Sequence, residues 1–170
     1  VLRDIAGPKD IPALLELLIN AKSAAELREA ERAVVSTSRK AVSESTDVVL
    51  AKLASVKEIK IKCSLLRILG KIGDSKAIGV LRDALKQENA EIRSAAIRAL
   101  SSWPTAEPIS DLVRIVQTSK NKIHRALAFR GYVRLIGLES NRPEEEILKM
   151  YKQAMALASD VSEKRIVLSG

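Results

Sequence analysis

One histidine, one cysteine and one tryptophan carry most of the chemistry this chain has to offer. They are His124, Cys63 and Trp103. A single imidazole is thin provision for a Ser-His-Asp triad and too little for a two-histidine metal site. Acid–base catalysis also needs a positioned partner, and the sequence neighbour of His124 is Arg125, a cation that disfavours a charged imidazole. His124 is therefore expected in a packing or surface role. Cys63 can form neither an intrachain disulfide nor a cysteine zinc cluster. Beside Leu65 and Leu66 it is expected to be a small buried hydrophobe, with Lys62 as the one neighbour that would favour a thiolate. No glycine-rich phosphate loop or nucleophile elbow is present. No catalytic, cofactor or metal residue is assigned, and the chain reads as non-enzymatic.

Trp103 lies in "SSWPTAEPIS", residues 101–110, with Pro104 after it and Pro108 four residues further on. A stacking platform for a base would want several aromatics near basic residues. Phe129, Tyr132 and Tyr151 are the only others, and all are distant in sequence. Pro104 disfavours the α conformation at Trp103 and so ends a helix there. Thr105 can cap the next helix, whose first turn tolerates Pro108. The stretch reads as a joint, with the indole covering the end of the core.

The sharpest charge feature is "KNKIHRALAFRGYVRL", residues 120–135, with Lys120, Lys122, Arg125, Arg130 and Arg134 and no acid. Arg130 and Arg134 share a helical face at i, i+4. The whole chain has a formal net charge of +8. That permits nucleic acid, an anionic membrane surface or an acidic protein, and specifies none of them. The bland alternative is pairing with nearby acids, such as Asp111 and Glu144 to Glu146, in weak surface contacts.

The elements that must position these residues are helices. The apolar content is 46% and aromatics only 2%. Ala, Leu, Lys, Glu and Arg favour helices, and strand-forming aromatics are nearly absent. A repeat organises the chain. "IKCSLLRILG" from Ile61, "IRSAAIRALS" from Ile92 and "IHRALAFRGY" from Ile123 start 31 residues apart. Val49-Leu50, Val80-Leu81 and Asp111-Leu112 mark the preceding segments, and each unit holds two amphipathic segments. Helices are expected over 9–20, 23–40, 45–55, 57–71, 75–87, 90–102, 106–118, 121–137, 143–158 and from 160 to the end. Ser23 with Glu26 and Asp160 with Glu163 have capping-box spacing. Asp74, Asn89 and Asn141 suit N-caps, Pro143 a first turn, and Gly73 and Gly137 helix ends. No stretch of about 18 apolar residues suggests a membrane span. The chain begins at Val1, without a methionine, and is expected to be a piece of something longer.

Helix pairs in tandem bury their apolar faces by stacking, which predicts an all-α, right-handed solenoid of about five pairs over residues 1–170. Residues 69–100, "LGKIGDSKAIGVLRDALKQENAEIRSAAIRAL", resemble the bacterial HEAT-like repeats of the PBS-lyase type. The features are Ile72-Gly73-Asp74, the helix from Ala77 to Leu85, then Glu91-Ile92-Arg93 and an Ala-rich second helix. The resemblance implies a fold and a role in protein contacts more than a chemistry. The tail after Leu138 resembles HEAT-like segments of large bacterial multidomain proteins with carbohydrate-active domains, which implies a bacterial and exported or periplasmic parent. In such arrays the second helices line the concave side. That makes Arg93, Arg98, Arg125, Arg130 and Arg134 the candidate binding residues, for an acidic protein segment or a neighbouring domain of the same parent chain. Three readings compete: a non-catalytic interaction scaffold, a nucleic-acid-binding module of the DNA-glycosylase type, and an accessory domain of a sugar-processing enzyme. Basic residues with aromatics on the concave face would favour nucleic acid, and mixed polar and apolar residues would favour protein.

Overall fold

In the computed structural model, residues 7–169 are described; residues 1–6 and 170, and with them the outer limits expected for the domain and its last helix, lie outside them. Ten α-helices follow one another, with no strand among the described residues. They are α1 (Ile11–Ile19), α2 (Ala24–Ser38), α3 (Val42–Ser55), α4 (Ile59–Ile72), α5 (Ile78–Ala84), α6 (Ala90–Ser101), α7 (Ile109–Thr118), α8 (Lys122–Ile136), α9 (Glu144–Leu157) and α10 (Val161–Leu168). Short 3-10 turns at Pro8–Asp10 and Ser75–Ala77 lead into α1 and α5. Each odd helix packs on the even helix after it, giving five pairs. The second helices also pack side by side, α2 on α4, α4 on α6, α6 on α8 and α8 on α10. The first helices cover one side of this layer. The result is an all-α solenoid with a continuous core from Ile11 to Val167.

Local chemistry places the boundaries. The Ser23 and Asp160 side chains accept from the Glu26 and Glu163 N–H groups. Their glutamates reach back one residue beyond the expected capping box, to the Lys22 and Ser159 N–H groups. Asn89 and Asn121 each accept two N–H groups of the first turn of α6 and α8. Asp74 caps the 3-10 turn before α5. Asn141 is not a cap: Pro143 holds that position before α9. Pro108 likewise stands at the N-cap of α7, so Thr105 serves the preceding turn, with Glu107 N–H donating to its hydroxyl. Gly73 ends α4 in the left-handed conformation, φ +72°, whereas Gly137 ends α8 with ordinary right-handed angles.

Those caps correct the sequence register. Glu58 and Asn89 are 31 residues apart, but Asn89 and Asn121 are 32 apart. Ile61 is 2% exposed and Ile123 is 65% exposed, so the third isoleucine of the column faces water. Its structural counterpart is His124, buried at 6%. The same slip occurs earlier among the first helices. Val49, Leu81 and Leu112 are the buried equivalents, whereas Val80 is exposed. Both slips have one cause. The turn between the two helices of the middle pair, Leu85 to Asn89, is one residue shorter than its counterparts, Leu53 to Glu58 and Val116 to Asn121.

Glycine sets how closely the second helices approach. A side chain at Gly70 would strike the backbone of Ala99, and one at Gly131 would strike Ser101. Ion pairs also join successive units: Lys52–Glu16 at 2.6 Å, Arg67–Glu31 at 2.5 Å, Lys76–Asp47 at 2.8 Å and Arg125–Glu163 at 2.6 Å. Asp111, buried in α7, takes Arg82 of α5 and Arg114 of its own helix, each at 3.0 Å.

Candidate functional site: a basic trough across the second helices

Three of the second helices, α4, α6 and α8, carry cations at matching positions. In the corrected register Arg67, Arg98 and Arg130 are equivalent residues of α4, α6 and α8. One helical turn further on, Lys71, Ser102 and Arg134 are equivalent. All six line one trough of about 390 Å³, together with Ser101, Leu127 and Gly131. No acid lines it. A second trough of about 380 Å³ adjoins it through Arg67 and Arg98 and extends to Lys60, Cys63, Glu91, Ser94, Asn121 and His124.

The cations differ in their commitments. The side chains of Arg98, Arg130 and Lys71 are exposed and make no hydrogen bond or ion pair among the described residues. Arg134 reaches across to the end of α6 and donates to the carbonyls of Ser101 and Trp103, at 2.9 and 3.0 Å. Those carbonyls belong to a helix C-terminus, where a cation is favoured, and the formal charge of Arg134 stays uncancelled. Arg67 is held by buried Glu31 and also donates to Ser64 Oγ at 2.8 Å.

Of the five arginines expected to act together, the structure brings three into this trough: Arg98, Arg130 and Arg134. Arg93 points elsewhere, to a cleft beside the helix–helix turns, and donates to the carbonyls of Gln87 and Glu88 at 2.6 and 2.7 Å. Arg125 turns to the junction of α9 and α10, where it binds Glu163 and the Leu157 carbonyl, and it lies 5.9 Å from the Phe129 ring of its own helix. Burial alone would raise the Glu163 carboxyl, but the Ser159 N–H, Arg125 and the Ser159 hydroxyl bring it below the usual range. Glu144 to Glu146, expected as pairing partners, form no ion pair with Arg130 or Arg134, and Asp111 belongs to Arg82 and Arg114. Arg67 and Lys71 are the trough cations outside the five expected. Arg67 stands 31 residues before Arg98 and Lys71 four residues after Arg67, and those spacings were the available signal.

The residues with the most intrinsic chemistry serve packing. Trp103 is 0% exposed, at the joint between α6 and α7. Pro104 lies against Gly73 of the preceding unit, where no side chain would fit. Phe129 and Tyr132 are also fully buried and Tyr151 half-buried, so no aromatic lines either trough. Cys63 is buried and its thiol is pushed up by desolvation. The His124 ring shares a 2.9 Å hydrogen bond with Ser94 Oγ and ties α8 to α6. Burial, and then Arg93, hold its pKa below the ordinary histidine value, against the opposing pull of the Ala90 carbonyl. Arg93, not the adjacent Arg125, is thus the cation that matters to it. Among the described residues no group of three potential metal ligands is assembled, and no helix is long and apolar enough to cross a membrane.

No curated protein matches the chain. The profile for HEAT repeats matches residues 46–131, which run from α3 well into α8 and contain every arginine of the trough except Arg134. Proteins built from such repeats commonly act as scaffolds and interaction modules and are generally not catalysts. A matching profile over half the chain, five stacked helix pairs and a repeat of 31 or 32 residues together make this protein a member of the HEAT-repeat family.

Proposed function

We propose that this chain is a non-catalytic interaction module that holds an acidic protein segment, or an acidic face of a neighbouring domain, over its second helices. One observation carries the reading. The trough on those helices gathers Lys71, Arg98, Arg130 and Arg134 without a single acid, and three of the four have no partner among the described residues. Folding gains nothing from holding like charges together, since they repel across a shared face. An external anion relieves that repulsion, and guanidinium forks suit carboxylates. The floor of the trough, formed by Leu127 and Gly131, is apolar enough for a peptide to rest on. The absence of Phe, Tyr and Trp from both troughs weighs against nucleic acid, because base stacking draws on such rings.

The test is fluorescence anisotropy with a labelled glutamate-rich peptide at low salt. Binding should weaken steeply with salt, because exposed charges are screened over about 10 Å at 0.1 M. Arg98→Glu with Arg130→Glu should weaken it about ten-fold or more while circular dichroism stays unchanged. Absence of peptide binding at low salt, or binding indifferent to this double reversal, refutes the reading. Displacement of the peptide by an equimolar single-stranded oligonucleotide would move the assignment to nucleic acid.

A further inference from the structure

The trough is a grid with a fixed pitch. Arg67, Arg98 and Arg130 occupy the same position on three helices packed side by side. Packed helix axes stand about 8–10 Å apart. Cationic rungs therefore recur once per helix across the layer. Along each helix the next exposed position is four residues on, about 6 Å away. Its members are Lys71, Ser102 and Arg134, and the Arg134 guanidinium is drawn over the end of α6, where Ser102 brings no charge of its own.

Secondary structures differ in how they repeat along such a ladder. A β-strand turns alternate residues to one face, about 6.6 Å apart. An α-helix turns residues three or four apart to one face, about 5–6 Å apart. These repeats fall short of one rung, and the next ones, about 13 Å for a strand and about 10.5 Å for a helix, overshoot it. A polyproline II segment has three residues per turn and rises about 3.1 Å per residue, so every third residue faces the same way at about 9.3 Å. That repeat falls within the spacing of packed helices. On the acidic-partner reading above, we infer that the partner is an extended segment in polyproline II conformation, lying across the second helices, with an acidic residue at every third position.

Glu31 limits the register. By holding Arg67 it neutralises the first rung, which leaves Arg98 and Arg130 as the free pair. Two acids three residues apart satisfy the native protein, and a third gains little.

The experiment uses three labelled proline-rich peptides of identical composition, with three glutamates spaced every second, third or fourth residue, titrated with the native protein at low salt. The third-residue spacing should bind about five-fold tighter than the other two, the value of about one well-placed charge pair. Equal affinities would overturn the pitch argument and leave the acidic-partner reading standing. Failure of all three to bind would sink both. A second arm uses Glu31→Gln, which frees Arg67. It should tighten the third-residue peptide by about two- to five-fold and leave a two-glutamate version unchanged. An equal gain for both peptides would show a general charge effect and overturn the ladder.

Discussion

Replacing Trp103 with alanine removes the largest fully buried side chain of the protein. An indole buries roughly 150–250 Å², which at about 25 cal/mol per Å² amounts to about 4–6 kcal/mol of apolar burial. The structure also shows an offsetting cost, because the indole Nε1–H has no hydrogen-bond partner. An orphaned buried donor costs about 1–3 kcal/mol. The net loss on truncation is therefore about 3 kcal/mol, at the lower end for large aromatics. For a domain of this size that corresponds to a fall in Tm of roughly 6–12 °C. Trp103→Phe separates the two terms. It keeps most of the burial and removes the orphaned donor, so it should cost about 1 kcal/mol or less. The assay is thermal unfolding by circular dichroism, with the native protein also followed by emission of its single tryptophan. A Trp103→Ala melt that overlays the native one would refute the packing account. So would a Phe variant as unstable as the Ala variant.

Three further outcomes are expected. Gly70→Ala should destabilise the fold by about 3 kcal/mol in urea titration, because the new methyl meets the Ala99 backbone, which cannot rotate away. Arg125→Ala should cost about 2 kcal/mol and leave Glu163 a poorly compensated buried carboxylate, with hydrogen exchange rising first across Val161–Leu168. The His124 pKa is lowered on folding, so the unfolded chain binds the proton more readily. The contribution of His124 is complete above its ordinary value of 6.5 and is lost as pH falls through and below it. Tm should therefore decline between pH 7 and about pH 5, and His124→Ile should flatten that decline. Glu163, with its lowered pKa, acts in a separate and more acidic window, giving stability above 4.5 that is lost as pH falls further.

The helices were legible because the amphipathic period runs through each of them and a cap residue, a glycine or a proline marks many of their ends. Every observed end lies within a few residues of the expected one. What sequence alignment missed was phase. Three isoleucines spaced 31 apart form a persuasive column, yet Asn121 starts α8 one residue late and delivers Ile123 to solvent. Aligning Asn89 with Asn121 would have set Arg98 opposite Arg130 from the outset. The five arginines divide between different surfaces for a related reason. Arg93 and Arg98, like Arg125 and Arg130, are five residues apart, which is about 140° around a helix. One of each pair can line the trough, and the other must look away. Arg130 and Arg134, four apart, differ by only about 40°. Which arginine meets an acid depended on α10 returning Glu163 to α8, a contact 38 residues distant that no local pattern announces.

The short turn of the middle pair has a meaning for how such a protein can change. Asn89 and Asn121 restart the helical count after turns of different length, so an added or missing residue upstream is forgotten before the arginines are reached. From cap to cation the count is the same nine residues in each: Glu58 to Arg67, Asn89 to Arg98 and Asn121 to Arg130. A residue gained in the turn before Asn121 leaves Arg130 where it is. A residue gained after Asn121 swings Arg130 by about 100° and breaks the row. Length variation is thus tolerated on one side of each cap and forbidden on the other, and the caps act as punctuation that keeps the cationic rows in frame.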